Sequence, residues 1–142
     1  MGERKNSVQY AALPYRLAAT GPQVLLVTSR ETRRWIIPKG WSKKNVAPHD
    51  MAAIEAFEEA GVRGKVKKKP VGDYIYDKRL EDGSVLACDV TVFPLEVSTE
   101  LADWPERTQR ERRWLSPAEA LELISEPGLV PILKRLAGRW EA

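Results

Sequence analysis

Pro38-Lys39-Gly40-Trp41, then a polar linker at 42–47, then Pro48-His49-Asp50-Met51-Ala52-Ala53-Ile54-Glu55-Ala56-Phe57-Glu58-Glu59-Ala60-Gly61: the fold turns on this stretch. Its second half reads as a helix. Pro48 suits a first helical position, and Asp50 sets a negative charge in the first turn against the positive end of the helix dipole. Gly61 supplies the C-terminal stop. Between 51 and 60 the residues are Met, Ala, Ile and Phe, broken only by Glu55, Glu58 and Glu59. At about 100° per residue the three carboxylates fall in one arc of roughly 100°, and most of the remaining circumference is apolar.

Three like charges on one stripe repel, by a few tenths of a kcal/mol per exposed i,i+4 pair and more when partly buried. No Lys or Arg of the helix stands one turn away to relieve them. A solvated acidic face is one account of such a stripe. A hard divalent cation is the other, since Mg²⁺ takes one or two carboxylates together with waters and substrate phosphates. The glycine turn before the helix and the basic residues around it favour the cation.

The chain has 142 residues, enough for one domain with a real core and few for two. With 43% hydrophobic and 30% charged residues it has the composition of a soluble globular protein. No apolar run approaches the ~20 residues that cross a bilayer, so no membrane association is expected. The start, Met1-Gly2-Glu3-Arg4-Lys5-Asn6-Ser7, lacks the apolar segment of a signal peptide, and a cytoplasmic setting is expected. One cysteine, Cys88, excludes an internal disulfide framework and reads as a core residue, with no His nearby to activate it. With a single His as well, any metal should be bound by oxygen.

The net charge of +3 is modest but uneven, with basic residues gathered at 33–34, 43–44, 65–69, 78–79 and 107–113. Solvation accounts for any one cluster. Several of them around an acidic helix suggest an anionic ligand bridged to the protein by metal. Nucleic acid is not the expected partner, because no helix-turn-helix, zinc-finger or aromatic-and-basic RNA-binding pattern is present.

Residues 1–7 are expected to form a flexible tail and 8–142 a single domain. Strands are expected at 8–19 and 23–29, joined at Thr20-Gly21-Pro22, and a short one at 35–37 that Pro38 ends, with Gly40 opening a loop into the acidic helix. Val24-Leu25-Leu26-Val27 is apolar on successive positions, as in a strand covered on both faces. Further strands are expected at 71–79, 85–97 and 112–115, with a hairpin turn at 81–84. Ser116-Pro117-Ala118-Glu119 starts a helix with an N-cap, a first-position proline and a capping-box glutamate. It runs to about residue 125, and a last amphipathic helix covers 130–140. This order predicts an α/β fold with a mixed sheet packed between helices.

The glycine-to-helix stretch resembles the Nudix box: a Gly, five residues, a Glu, seven residues, then Arg-Glu-apolar-any-Glu-Glu-any-Gly-apolar. Gly40, Glu55, Ala56, Glu58, Glu59, Gly61 and Val62 fall at the matching spacing. Pro38-Lys39-Gly40 is similar to diadenosine polyphosphate hydrolases. Thr28-Ser29-Arg30, Trp35-Ile36-Ile37-Pro38, Asp103-Trp104 and Arg113-Trp114-Leu115 followed by Glu119-Ala120 resemble the diphosphoinositol polyphosphate phosphohydrolase branch. The likeness covers roughly residues 8–135 and implies a Nudix-like α/β/α sandwich. Two box positions depart from it: Val46 stands at the first Glu and Ile54 at the Arg. In the family these side chains are expected to pair and brace the glutamates. Their joint loss reads as a replaced ion pair, with Val46 and Ile54 expected to touch or to share one apolar cluster.

The resemblance implies metal-dependent hydrolysis of a pyrophosphate bond in a dinucleoside polyphosphate or diphosphoinositol polyphosphate. The alternatives are nucleotide sugars or damaged nucleotides as substrates, or a Nudix-fold sensor that binds a phosphorylated ligand without turnover. Metal ions on carboxylates neutralise the phosphates and lower the pKa of a bound water. By box position Glu55, Glu59 and the Lys39 backbone carbonyl are implied ligands of Mg²⁺, or of Mn²⁺ in its place, with Glu58 beside them. Glu58 is the implied acceptor of the water proton, with Glu55, Glu106 and Glu111 as alternatives. Arg30, Lys39, Arg79 and Arg112 are candidates for the substrate phosphates, arginine being suited to bidentate contacts. Trp41 is the better candidate than Trp35 for stacking on a base. The partner is then a small polyphosphate, bound by a monomer or homodimer.

Overall fold

A computed structural model of the chain describes residues 7–141. Of the expected tail only Ser7 lies among them, and it is buried. β1 (Val8–Ala18) and β2 (Gly21–Thr28) form a hairpin in which Ala18 faces Gly21. β1 also runs parallel to β7 (Val85–Glu100), from Val8 opposite Asp89 to Tyr15 opposite Glu96. The other pairings are antiparallel. They add β3 (Trp35–Ile36) and β8 (Arg112–Leu115) to β2, β4 (Lys39–Trp41) to β1, and β5 (Val62–Val66) and β6 (Gly72–Arg79) to β7. The product is a mixed sheet of eight strands with the central order β3-β2-β1-β7-β5.

The successive apolar positions of β2 explain the layering. Val24 and Leu26 enter one core and Leu25 and Val27 the other, all four fully buried. Side chains alternate across a strand, so a run without polar residues requires cover on both faces. α2 (Pro117–Leu123) and α3 (Leu129–Glu141) cover the first face through Ala120, Leu129, Ile132, Leu133 and Leu136. α1 (Pro48–Glu55) and its continuation cover the second through Ala52, Ala56 and Ala60. Helices thus lie on both sides of a mixed sheet, as the sequence predicts. None of the described helices is long and apolar enough to cross a membrane.

The capping box of α2 forms as read: Ser116 Oγ accepts from the Glu119 amide and the Glu119 carboxylate accepts from the Ser116 amide. Cys88 is fully buried, in keeping with a core residue. Two local expectations are corrected. Gly40 lies within a paired strand, because β4 runs against β1 with Tyr10 opposite Gly40. Pro38 lies past the end of β3, as read, and its carbonyl accepts from the Ala12 amide at 3.0 Å just ahead of β4. The acidic helix, in turn, is α-helical only to Glu55. Residues Ala56–Ala60 form a π-helical turn, in which the Gly61 amide donates to the carbonyls of both Ala56 and Phe57.

Helix ends leave carbonyls without partners, and here the segment 101–112 takes all of them. The Glu106 amide donates to the Glu58 carbonyl at 3.0 Å and the Trp104 indole Nε1 to that of Glu59 at 3.2 Å. Arg112 donates to the Ala60 carbonyl at 2.9 Å, and the Leu101 amide to that of Gly61 at 2.8 Å. Gly61 is left-handed (φ 67°), and a Cβ on it would stand 2.6–2.7 Å from Trp104 ring atoms. Glycine is needed there for both reasons. Arg112 also donates to Leu101 O at 2.7 Å and stacks 3.9 Å above the Trp104 ring. Arg112→Met should therefore cost about 2–3 kcal/mol through the carbonyls it strands. Urea unfolding of the metal-free protein should show the loss as a lowered midpoint.

Candidate active site

Lys39 and Gly40 are neighbours on β4, so they address opposite faces of the sheet. Gly40 lies under α1: a Cβ there would stand 2.8 Å from Glu55 Cγ and would collide with its carboxylate. The absent side chain is what lets Glu55 lie on the strand. Lys39 turns to the other face, where its ammonium reaches Glu126 at 3.1 Å and sits 4.9 Å above the Tyr76 ring. The Glu126 carboxylate also accepts from the Tyr74 hydroxyl at 2.7 Å.

Glu55 and Glu59, one turn apart, are hydrogen-bonded to each other through their side chains. Glu59 is 6% exposed. Burial raises its pKa to about 9, with the Glu55 hydrogen bond and charge adding to the shift and Arg110 opposing it. Burial likewise raises Glu55, and the charges of Glu58 and Glu106 add to it. Glu59 is buried and Glu55 half-buried, and two like charges in contact disfavour joint ionisation, so the pair favours holding a proton when no metal is bound.

Such a pair fits a hard divalent cation, which would take the place of the shared proton. Among the described residues no three His, Cys, Asp or Glu side chains are gathered around one metal position. Two carboxylates and oxygens from backbone, water and substrate are a donor set that suits Mg²⁺.

The remaining sequence candidates are placed unequally. Glu58 is half-buried, and its charge is felt by Glu55. Glu106 reaches the same neighbourhood from the loop, whereas the Glu111 side chain is exposed. Arg30 is exposed at the end of β2 and donates to Gln109 at 3.3 Å. Arg79 is exposed at the β6–β7 hairpin, opposite Val85. The Lys39 ammonium and the Arg112 guanidinium are not free donors: the first is paired with Glu126, the second with carbonyls of the chain and, at 3.5 Å, with Glu100. Trp41 is 38% exposed, whereas Trp35 packs against the first core. Neither Val46 nor Ile54 belongs to either buried cluster, and Ile54 is 38% exposed. An exposed Ile54 has not traded a buried ion pair for buried packing.

Arg110 was not singled out by the sequence. Its guanidinium is 8% exposed and lies between three elements. It binds Glu106 at 2.7 Å, the Thr28 carbonyl at 3.0 Å and Glu59 at 3.9 Å. Within the basic run 107–113 nothing local distinguishes it from its exposed neighbours Arg107 and Arg113.

No family model matches the chain. It is 32% identical over 121 residues to Nudix hydrolase 16, mitochondrial, of Arabidopsis thaliana, an alignment spanning 83% of this chain and 67% of that protein. The chain belongs to the Nudix hydrolase family. Nudix hydrolase 12, mitochondrial, of the same plant is 40% identical over 104 residues, covering 71% of this chain and 51% of its own length. The chain thus spans about half the length of that relative. The diphosphoinositol polyphosphate phosphohydrolase 3-beta of Bos taurus is 28% identical over 116 residues, covering 80% of this chain and 66% of that protein.

Solved Nudix structures share the fold. A hydrolase from Nitrosomonas europaea aligns with a TM-score of 0.72 at 16% identity, over 95% of this chain and 90% of that one. The C. elegans Ap4A hydrolase aligns at 0.68 and 14% identity, over 94% and 98%.

The Glu55–Glu59 pair sets a pH dependence for the metal-free Nudix protein. Glu59 titrates at about 9 when folded against 4.5 for an ordinary glutamate, so the folded state keeps a proton that the unfolded chain releases. Its stabilising contribution is complete below about 4.5 and is lost progressively as the pH rises through about 9. Thermal melts in chelator should show Tm falling across that window, and Glu59→Gln should flatten the fall.

Proposed function

We propose that this Nudix protein hydrolyses a pyrophosphate bond in a dinucleoside polyphosphate or a diphosphoinositol polyphosphate. The observation that carries the proposal is the buried Glu59 beside a half-buried Glu55 whose carboxylate lies over Gly40. The substrate class is supported by one relative, named as a diphosphoinositol polyphosphate phosphohydrolase, and an Ap4A hydrolase shares the fold. In this reading Glu55, Glu59 and the Lys39 carbonyl hold Mg²⁺, with Mn²⁺ able to replace it. The bound cation neutralises phosphate charge and acidifies a water.

Glu58 accepts the proton of the attacking water, as its partly exposed position beside the buried pair allows. Glu55 or Glu106 would take that role where Glu58 is not aligned. The water oxygen bonds to phosphorus as the bond from phosphorus to the bridging oxygen breaks, and the displaced phosphate leaves with that oxygen. Arg30 and Arg79, both exposed, are the cations we assign to the outer phosphates. Lys39 and Arg112 act from beneath, by fixing β4 and the end of the π turn. We place the reaction in the cytoplasm, where the unpaired Cys88 stays reduced.

The test is product release from Ap4A, a diphosphoinositol polyphosphate, nucleotide sugars and dNTPs, each with Mg²⁺ and with chelator. One of the first two should be cleaved, and only with metal. Glu59→Gln and Glu58→Gln should each lower kcat about 10²-fold or more. Full activity in both variants would place the chemistry elsewhere, and tight binding without product would make the protein a sensor.

A further inference from the structure

The Nudix box of this chain lacks the ion pair that would brace its glutamates, since Val46 and Ile54 cannot form one. Glu59 is nonetheless buried with a cation beside it. We propose that Arg110, from the loop before β8, is the positioning residue that braces Glu59 and with it the metal site, in place of the box arginine.

Three contacts carry this. The guanidinium is nearly closed off from solvent, so it is not a loose surface cation. Nε binds Glu106 at 2.7 Å and one Nη binds the Thr28 carbonyl at 3.0 Å, which fixes the plane of the group. The other Nη is thereby aimed at Glu59 Oε2, 3.9 Å away. A planar fork can serve three partners in this way, and a lysine cannot. The loop itself is tied to the same turn, since the Glu106 amide donates to the Glu58 carbonyl. Arg110 and Glu106 are therefore both tied to the π turn. The brace is supplied from a distance of fifty residues in sequence, which frees positions 46 and 54 to be apolar.

The inference rests on the proposed function only in taking Glu55 and Glu59 as metal ligands. A bystander cation would repel a divalent metal, so its removal would tighten metal binding. A brace does the opposite. In Mn²⁺ titrations by calorimetry, Arg110→Met should weaken affinity about 10-fold or more, the scale seen when a residue that orients a ligand is lost. Arg110→Lys, which keeps the charge without the fork, should fall in between. It also serves if Arg110→Met does not fold. In turnover, kcat should drop more than KM rises. Restoring the box pair by Val46→Glu with Ile54→Arg should return most of the affinity to Arg110→Met.

Unchanged or tighter Mn²⁺ binding in both Arg110 variants, or no recovery with the restored pair, would overturn the proposal. A readout without metal separates it from the proposed function: in chelator, the Tm changes of Arg110→Met and Glu59→Gln should be strongly non-additive. Additive changes would sink the brace, even if the wild type proved fully active. Should the wild type bind no Mn²⁺, the catalytic reading falls, and the Tm cycle alone decides the brace.

Discussion

The end of the acidic helix is the constraint on which the site depends. Four consecutive carbonyls, from Glu58 to Gly61, would be left without partners in an isolated helix. Here each is taken by the segment 101–112, through two backbone amides, an indole and a guanidinium. Capture at so many points holds this turn, which is π-helical, against the segment that follows β7. Single π turns inside helices recur at functional sites because they re-aim the side chains they carry. In this chain they carry Glu58 and Glu59.

The glutamates show what that winding achieves. Burying a carboxylate disfavours its charged form, and a second carboxylate in contact adds to the effect. The fold tolerates the pair because a retained proton removes one charge and Arg110 stands beside Glu59 to offset the cost of ionising it. Gly40 is the second condition, since any Cβ on β4 would occupy the space of the Glu55 carboxylate. Without a metal the pair lowers stability at neutral pH; with one, the same burial concentrates the attraction between cation and ligands. Strain in the free protein is the counterpart of affinity in the loaded one.

Much of this was legible in the residues. The unbroken apolar run of β2 required cover on both faces, and Ser116, Pro117 and Glu119 specified a capped helix, because such signals act within a few residues. The box spacing marked Gly40, Glu55, Glu58 and Glu59 as one unit. What it could not convey was the unequal burial of the three glutamates. A pattern with a period of 3.6 assumes a uniform helix, and the π turn breaks that assumption after Glu55. Lys39 and Arg112 illustrate a related point: charge in a sequence says nothing about which donors the fold itself engages.

The sequence by itself determined the layers, the helix start at Pro48, its stop at Gly61 and the acidic chemistry between them. Each of these follows from local geometry and from burial, which short segments encode. Tertiary structure alone decided which carboxylates share a proton, which arginines are spent on carbonyls, and that a cation from residue 110 stands beside Glu59. Those outcomes depend on distances between segments some fifty residues apart. Electrostatic energy in a buried site varies steeply with such distances, and no local pattern records them.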